Sequence, residues 1–194
     1  MATFKLPENA ATYAALLQAY GEEHRHYHNA DHIDACLDQL DDVSAEADKP
    51  EEIELALWFH DAIYDPFSAN NERDSADWAL DFMRSNELAD DVMSRIEALI
   101  MVTHGHAATS SGDERLMIDI DLSILGQRPE LYDRFEAAIR KEYGHVPTAL
   151  FSQKRREILT DFLNRDHLYN TAYFAQKLED QARINLANAI AVLN

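Results

Sequence analysis

Apolar positions along this chain recur at helical spacing, and short polar breaks divide it into successive amphipathic segments with no internal repeat. Pro7-Glu8 predicts the start of a first helix carrying Tyr13, Leu16, Leu17 and Tyr20, closed by Gly21 in the manner of a C-terminal glycine. A polar lead-in from Gly21 to His28 follows. Asn29 then suits the cap of a second helix with Ile33, Cys36, Leu37 and Leu40 on one side, ended by the acidic stretch Asp41 to Pro50. A third helix is predicted from Glu51 to about Tyr64, stopping at Asp65-Pro66. The same periodicity predicts helices at roughly 71–86, 90–104, 113–125, 129–143, 147–164 and 170–192.

Composition supports this picture. Gly and Pro together account for ten of 194 residues, well under the roughly 12% of average usage, and helix-compatible residues dominate. The expectation is an all-α fold, a single domain spanning residues 1–194, since no linker divides the chain. One cysteine, Cys36, cannot form an internal disulfide, which fits a reducing, cytoplasmic setting. No signal segment opens the sequence and no apolar run reaches the ~18 residues of a membrane span, so the expected protein is soluble, unprocessed and without a membrane partner. A net charge of −19 argues against extended nucleic acid, whose affinity comes from Lys and Arg contacts to phosphate. A small anion stays compatible, because a bound divalent cation reverses the local potential.

Against this background, His and Asp stand where helices should bury apolar side chains. Ile53, Ala56, Leu57 and His60 share one helical face, so His60 should point inward, with Asp61 about 100° around at the edge of the core. His32 precedes Cys36 and Leu40 by one and two turns. Further on, Met117, Ile120, Asp121, Ile124 and Leu125 define a face, and Asp119 falls opposite; phase therefore selects Asp121 as the inward carboxylate. Any one of these residues has a plain structural reading, as a hydrogen-bonded core histidine or a packing partner. Two His and two Asp directed inward from three helices share a single explanation, a divalent metal. Mixed nitrogen and oxygen ligands suit Mn, Fe, Zn, Mg, Co or Ni without distinguishing among them.

These residues also carry a resemblance. The order His32, His60-Asp61, Asp121 on a helical scaffold resembles the HD superfamily of metal-dependent phosphohydrolases. The longer text Arg25-His26-Tyr27-His28-Asn29, Trp58-Phe59-His60-Asp61-Ala62-Ile63-Tyr64, Asn71-Glu72 with Ser75-Ala76, and Asp119-Ile120-Asp121-Leu122-Ser123-Ile124-Leu125-Gly126 is similar to a family of small bacterial proteins described as predicted HD phosphohydrolases. The likeness continues through Arg140 to Tyr143 and through Ala182-Arg183 with Asn185-Leu186. In addition, Tyr27-His28-Asn29 with His32, and Asp121-Leu122-Ser123, look like the first and last signatures of the cyclic nucleotide phosphodiesterases.

The resemblance implies an HD-type helical bundle with a central metal site, a hydrolase working through metal-activated water, and a nucleotide or other small phosphorylated metabolite as substrate. By it, His32, His60, Asp61 and Asp121 are metal ligands and His28 is the proton donor to the leaving group, or else a hydrogen-bonded residue orienting its loop. His106, which the likeness selects over His104, would serve a second metal or contact the substrate, making the ion count one or two. Glu72 would orient or deprotonate water, or would only start the next helix, where a carboxylate suits the helix dipole. Arg25, Arg73, Arg140, Lys141, Arg155 and Arg156 are candidates to receive phosphate. Three other readings stand beside this one. They are a non-catalytic nucleotide sensor on the HD scaffold, a di-iron HD oxygenase, and a helical structural protein dimerising through Tyr132 to Tyr143 and the last helix.

Overall fold

The computed structural model describes residues 9–106, 109 and 111–193; the predicted helix start at Pro7-Glu8 lies outside them. The chain is 72% helical and all-α, with no strand among the described residues. The helices are α1 (Ala10–Tyr20), α2 (Ala30–Val43), α3 (Pro50–Phe59), α4 (Asn71–Ser85), α5 (Asp90–Met101), α6 (Gly112–Asp121), α7 (Pro129–Glu142), α8 (Thr148–Leu163) and α9 (Ala172–Val192). Short 3-10 turns follow α2 at Ser44–Glu46 and α6 at Leu122–Gly126. No described helix is long and apolar enough to cross a membrane.

Helix α3 lies at the centre, packed against α2, α4, α5 and α6. Ile53, Leu55, Ala56, Leu57 and Phe59 are all buried, so this helix has almost no solvent face. Buried apolar side chains from Leu16 in α1 to Ala189 in α9 form one continuous cluster around it. On the far side, α9 packs against the 3-10 turn Leu122–Gly126 and against α8. The first helix shows the expected stripe only in part: Leu16 and Tyr20 are buried, whereas Tyr13 and Leu17 stay largely exposed. Gly21 closes α1 at φ −92°, so the left-handed conformation that makes glycine a C-terminal signal is not used.

Helix α3 ends five residues before the predicted Tyr64, and the cause is competition for its backbone groups. The Arg25 guanidinium donates to the carbonyls of Asp61 (2.6 Å) and Ala62 (2.9 Å), and the Ile63 N–H donates to Ser75 Oγ (3.0 Å). Groups that would extend the ladder are thereby paired elsewhere. The segment Gly21 to His28, expected as a polar lead-in, accordingly carries a buried arginine at 6% exposure. Asn29 caps α2 as expected, its side chain accepting from the N–H groups of Asp31 and His32. The aromatic face of α7, one of the expected dimer surfaces, has Tyr132, Phe135 and Ile139 buried within its own chain.

Candidate metal centre

Three elements bring the central ligands together: α2 supplies His32, the end of α3 supplies His60, and the last residue of α6 supplies Asp121. Their ligand atoms all lie within 4.8 Å of one another, so this group could hold a metal ion. His32 Nε2 stands 3.3 Å from His60 Nε2 and 3.2 Å from Asp121 Oδ1, while His60 Nε2 is 3.6 Å from the same oxygen. Asp61 reaches in from the turn after α3, its Oδ2 at 3.1 Å from His60 Nε2 and 3.5 Å from His32 Nε2.

Donor chemistry makes the set fit a cation. His60 Nδ1 sits 2.9 Å from the Leu57 carbonyl, which can only accept, so Nδ1 carries a proton. In the neutral ring Nε2 is then a lone pair, aimed at a second imidazole nitrogen and two carboxylates. Four electron-rich groups facing one another in a buried site require a proton or a metal ion between them. Burial alone would lower the basicity of both imidazoles. The surroundings prevail: Asp61 and Asp121 raise His60, and Cys36, Tyr27, Asp121 and Asp61 raise His32, each well above the ordinary histidine value. Conversely, burial opposes ionisation of Asp61 and Asp121, yet the neighbouring histidines hold both well below the usual carboxylate range.

Asp121 also joins a third imidazole, for its Oδ2 lies 2.7 Å from His106 Nε2. Gly105 (φ +75°) breaks the chain direction and His106 itself adopts φ +50°, a left-handed conformation a β-carbon disfavours. Arg165 holds this turn by donating to the carbonyls of His106 (3.0 Å) and Gly105 (3.2 Å). His104 points away, exposed, with Nδ1 3.2 Å from Glu72 Oε2. The carboxylate of Glu72, at the start of α4, is thus paired with this exposed imidazole.

His28 occupies a separate position beside the cluster. Its Nδ1 donates to Glu142 Oε2 (2.8 Å) and its ring stacks on Tyr64 with centroids 4.3 Å apart. Glu142 is a residue the sequence reading missed. Its Oε1 accepts from the N–H groups of His26, Tyr27 and His28 at 2.7–3.0 Å, and its Oε2 also accepts from the Tyr64 hydroxyl (2.9 Å). Burial works against its charge, but His28 and the backbone donors bring its pKa down to about 2. The signal was present in the spacing: Tyr132, Phe135, Ile139 and Glu142 fall at steps of three, four and three, so the carboxylate continues a buried stripe.

Asp119 corrects the phase argument. It was expected opposite the inward face, yet it is completely buried, accepting from the N–H groups of Asn170 and Thr171 and from both side chains at 2.7–3.0 Å. Five successive residues from Leu116 to Ile120 are buried, so this end of α6 has no solvent face to distinguish. Asp119 anchors the start of α9 and Asp121 faces the histidines.

A cavity of ≈ 520 Å³ opens beside the cluster, with His28, His106 and Asp121 among its walls. Most of the proposed phosphate-binding cations are engaged elsewhere. Arg25 serves backbone carbonyls, including that of His28 (3.1 Å); Arg73 pairs with Glu97 and Asp77; Arg140 donates to the carbonyls of Tyr143 and Val146; Arg156 donates to that of Leu193. Arg155 lines the cavity together with Lys154. Comparison of the chain with protein-family models, with curated proteins and with solved structures found no match.

Proposed function

We propose that this protein is a divalent-metal phosphohydrolase acting on a small phosphorylated metabolite, a nucleotide being one candidate. The observation that carries the reading is the convergence of His32, His60 and Asp121 on one point at the wall of a cavity that also presents His28 backed by Glu142. A metal held by these three residues, with Asp61 beside them, would activate water near neutral pH and polarise a phosphoryl oxygen. The first-row divalent ions and Mg²⁺ are all compatible with nitrogen and oxygen donors.

The chain's own groups supply the remainder of the chemistry. Because Glu142 holds His28 at Nδ1, the opposite nitrogen, Nε2, is the one free to pass a proton to the leaving oxygen. Arg25 ties the His28 carbonyl to those of Asp61 and Ala62, fixing the proton donor relative to the ligand turn. Asp121 contacts His32 and His60 through one oxygen and His106 through the other, which suits His106 to a second ion or to the substrate.

Purified protein should carry stoichiometric metal by elemental analysis, and His60→Ala or Asp121→Ala should lose it. Hydrolysis of a panel of phosphomonoesters, phosphodiesters and nucleotides should fall by at least about a hundredfold in the same variants. Metal-free protein that hydrolyses the panel at the full rate would sink the proposal, and metal-dependent oxygen uptake without phosphate release would replace it with the oxygenase reading.

A further inference from the structure

We infer that the substrate carries a single phosphate on an apolar group, aromatic or branched alkyl, and not a polyphosphate; this rests on the hydrolytic reading above. The cavity beside the cluster is walled by Phe135, Ile139, Leu150, Phe151, Ile158 and Phe162 among others, with His28, His106 and Asp121 on the side of the cluster and Lys154 and Arg155 elsewhere in its lining. Apolar walls with few convergent polar groups are the pattern of a site that binds an organic body and fixes one end of it. The volume, ≈ 520 Å³, suits a small organic molecule.

The cations in these walls are already matched. Arg155 makes two parallel bonds to Glu136 (3.0 and 2.7 Å) with its guanidinium over the Phe135 ring at 5.3 Å, and Lys154 lies 2.7 Å from Glu157. A di- or triphosphate would bring several further negative charges into a cavity whose described cations face carboxylates, in a chain of net charge −19. One phosphate can be neutralised at the cluster end, leaving the apolar body to the walls. Leu150 and Ile158 are about half exposed, which extends the apolar surface toward solvent.

The reaction balances with water alone. A water oxygen bonds to phosphorus and the bond from phosphorus to the ester oxygen breaks, its electron pair staying on that oxygen. The leaving oxygen takes a proton from His28, and the attacking water returns one proton to the histidine through solvent. The products are an apolar alcohol and hydrogen phosphate, with no oxidant or reductant needed.

The test measures calorimetric binding of naphthylphosphonate, methylphosphonate and adenosine triphosphate to the protein with the metal it purifies with, alongside turnover of naphthyl and methyl phosphate. Naphthylphosphonate should bind at least about tenfold more tightly than methylphosphonate, reflecting the apolar surface buried. Ile158→Asn, with Leu150→Asn as a second variant, should reduce that preference severalfold without adding charge, with methylphosphonate, which has no apolar body to reach those walls, as the reference ligand. Both side chains are about half exposed, so neither change opens the core, and circular dichroism should show the helix content retained. Equal binding of the two phosphonates, tighter binding of adenosine triphosphate, or indifference to both substitutions would overturn the inference. Preferential naphthylphosphonate binding without turnover of naphthyl phosphate would uphold the apolar preference and bring down the hydrolytic reading instead.

Discussion

At the scale of single residues, hydrogen bonds to one ring nitrogen decide what the other can do. The Leu57 carbonyl commits His60 Nδ1 to a proton and turns Nε2 toward the cluster; Glu142 likewise commits His28 Nδ1 to a proton and leaves Nε2 on the far side of the ring from that bond. Glu142 receives donors from three backbone N–H groups, an imidazole and a phenol, a load that an ionised carboxylate can accept and an amide cannot. Its pKa falls from 4.5 to about 2 on folding, and a depressed carboxylate stabilises the native state above its unfolded value. That contribution, about 3 kcal/mol, should be complete above pH 4.5 and be lost as pH falls toward 2. Glu142→Gln should therefore lower stability at pH 7 by roughly 2–3 kcal/mol and flatten the acid limb of denaturation followed by circular dichroism. Under the hydrolytic reading it should also lower kcat on the order of a hundredfold, with a smaller effect on KM, because Glu142 positions His28 and does not meet the substrate.

At the scale of elements, the 3-10 turn Leu122–Gly126 is the joint on which Asp121 depends. Tyr169 donates to the Leu122 carbonyl (3.1 Å), and Asn185 donates to those of Leu125 (2.8 Å) and Gln127 (2.7 Å), so α9 and the segment before it satisfy the turn's backbone. Gly126 permits this approach. A β-carbon there would meet the Leu178 carbonyl oxygen at 2.7 Å and the Leu178 β-carbon closer still, both on α9. Gly126→Ala should accordingly cost about 1–3 kcal/mol, measured by denaturant unfolding, and, under the proposed metal reading, weaken metal retention by displacing Asp121. A second joint sits after α3. There Ser75 holds both the N–H (3.0 Å) and the carbonyl (3.3 Å) of Ile63, while Asn71 pairs with the backbone of Asp65, which gives the Asn71 to Ser75 text a structural task beside Glu72. The element pattern itself was readable: the boundaries of α4, α7, α8 and α9 fall within two residues of those expected from periodicity. Where periodicity failed, as at the end of α3 and in the phase of Asp119, a distant side chain or an all-round burial had replaced the solvent boundary that periodicity detects.

For the whole molecule, a charge of −19 on 194 residues sets a self-repulsion that the fold must withstand. Repulsion among exposed carboxylates is screened by salt, whereas the buried ion pairs at the cluster are screened much less. Raising ionic strength from about 0.01 M to 0.5 M should thus raise Tm by a few degrees in a thermal scan. A falling Tm would show that surface ion pairs such as Arg73 with Asp77 outweigh the net repulsion.

Local sequence determined the helices, their order and the histidines and aspartates that replace apolar residues on inward faces, because helical phase is a short-range property. Tertiary structure decided which of those groups meet. It brought His106 to Asp121 through a turn held by Arg165, paired Glu72 with His104, gave Asp119 to the start of α9, and placed Glu142 behind a histidine 114 positions earlier. It also assigned most of the cations to backbone carbonyls and carboxylates. Such pairings arise where separate helices pack, and phase along one helix carries no record of the partner across it.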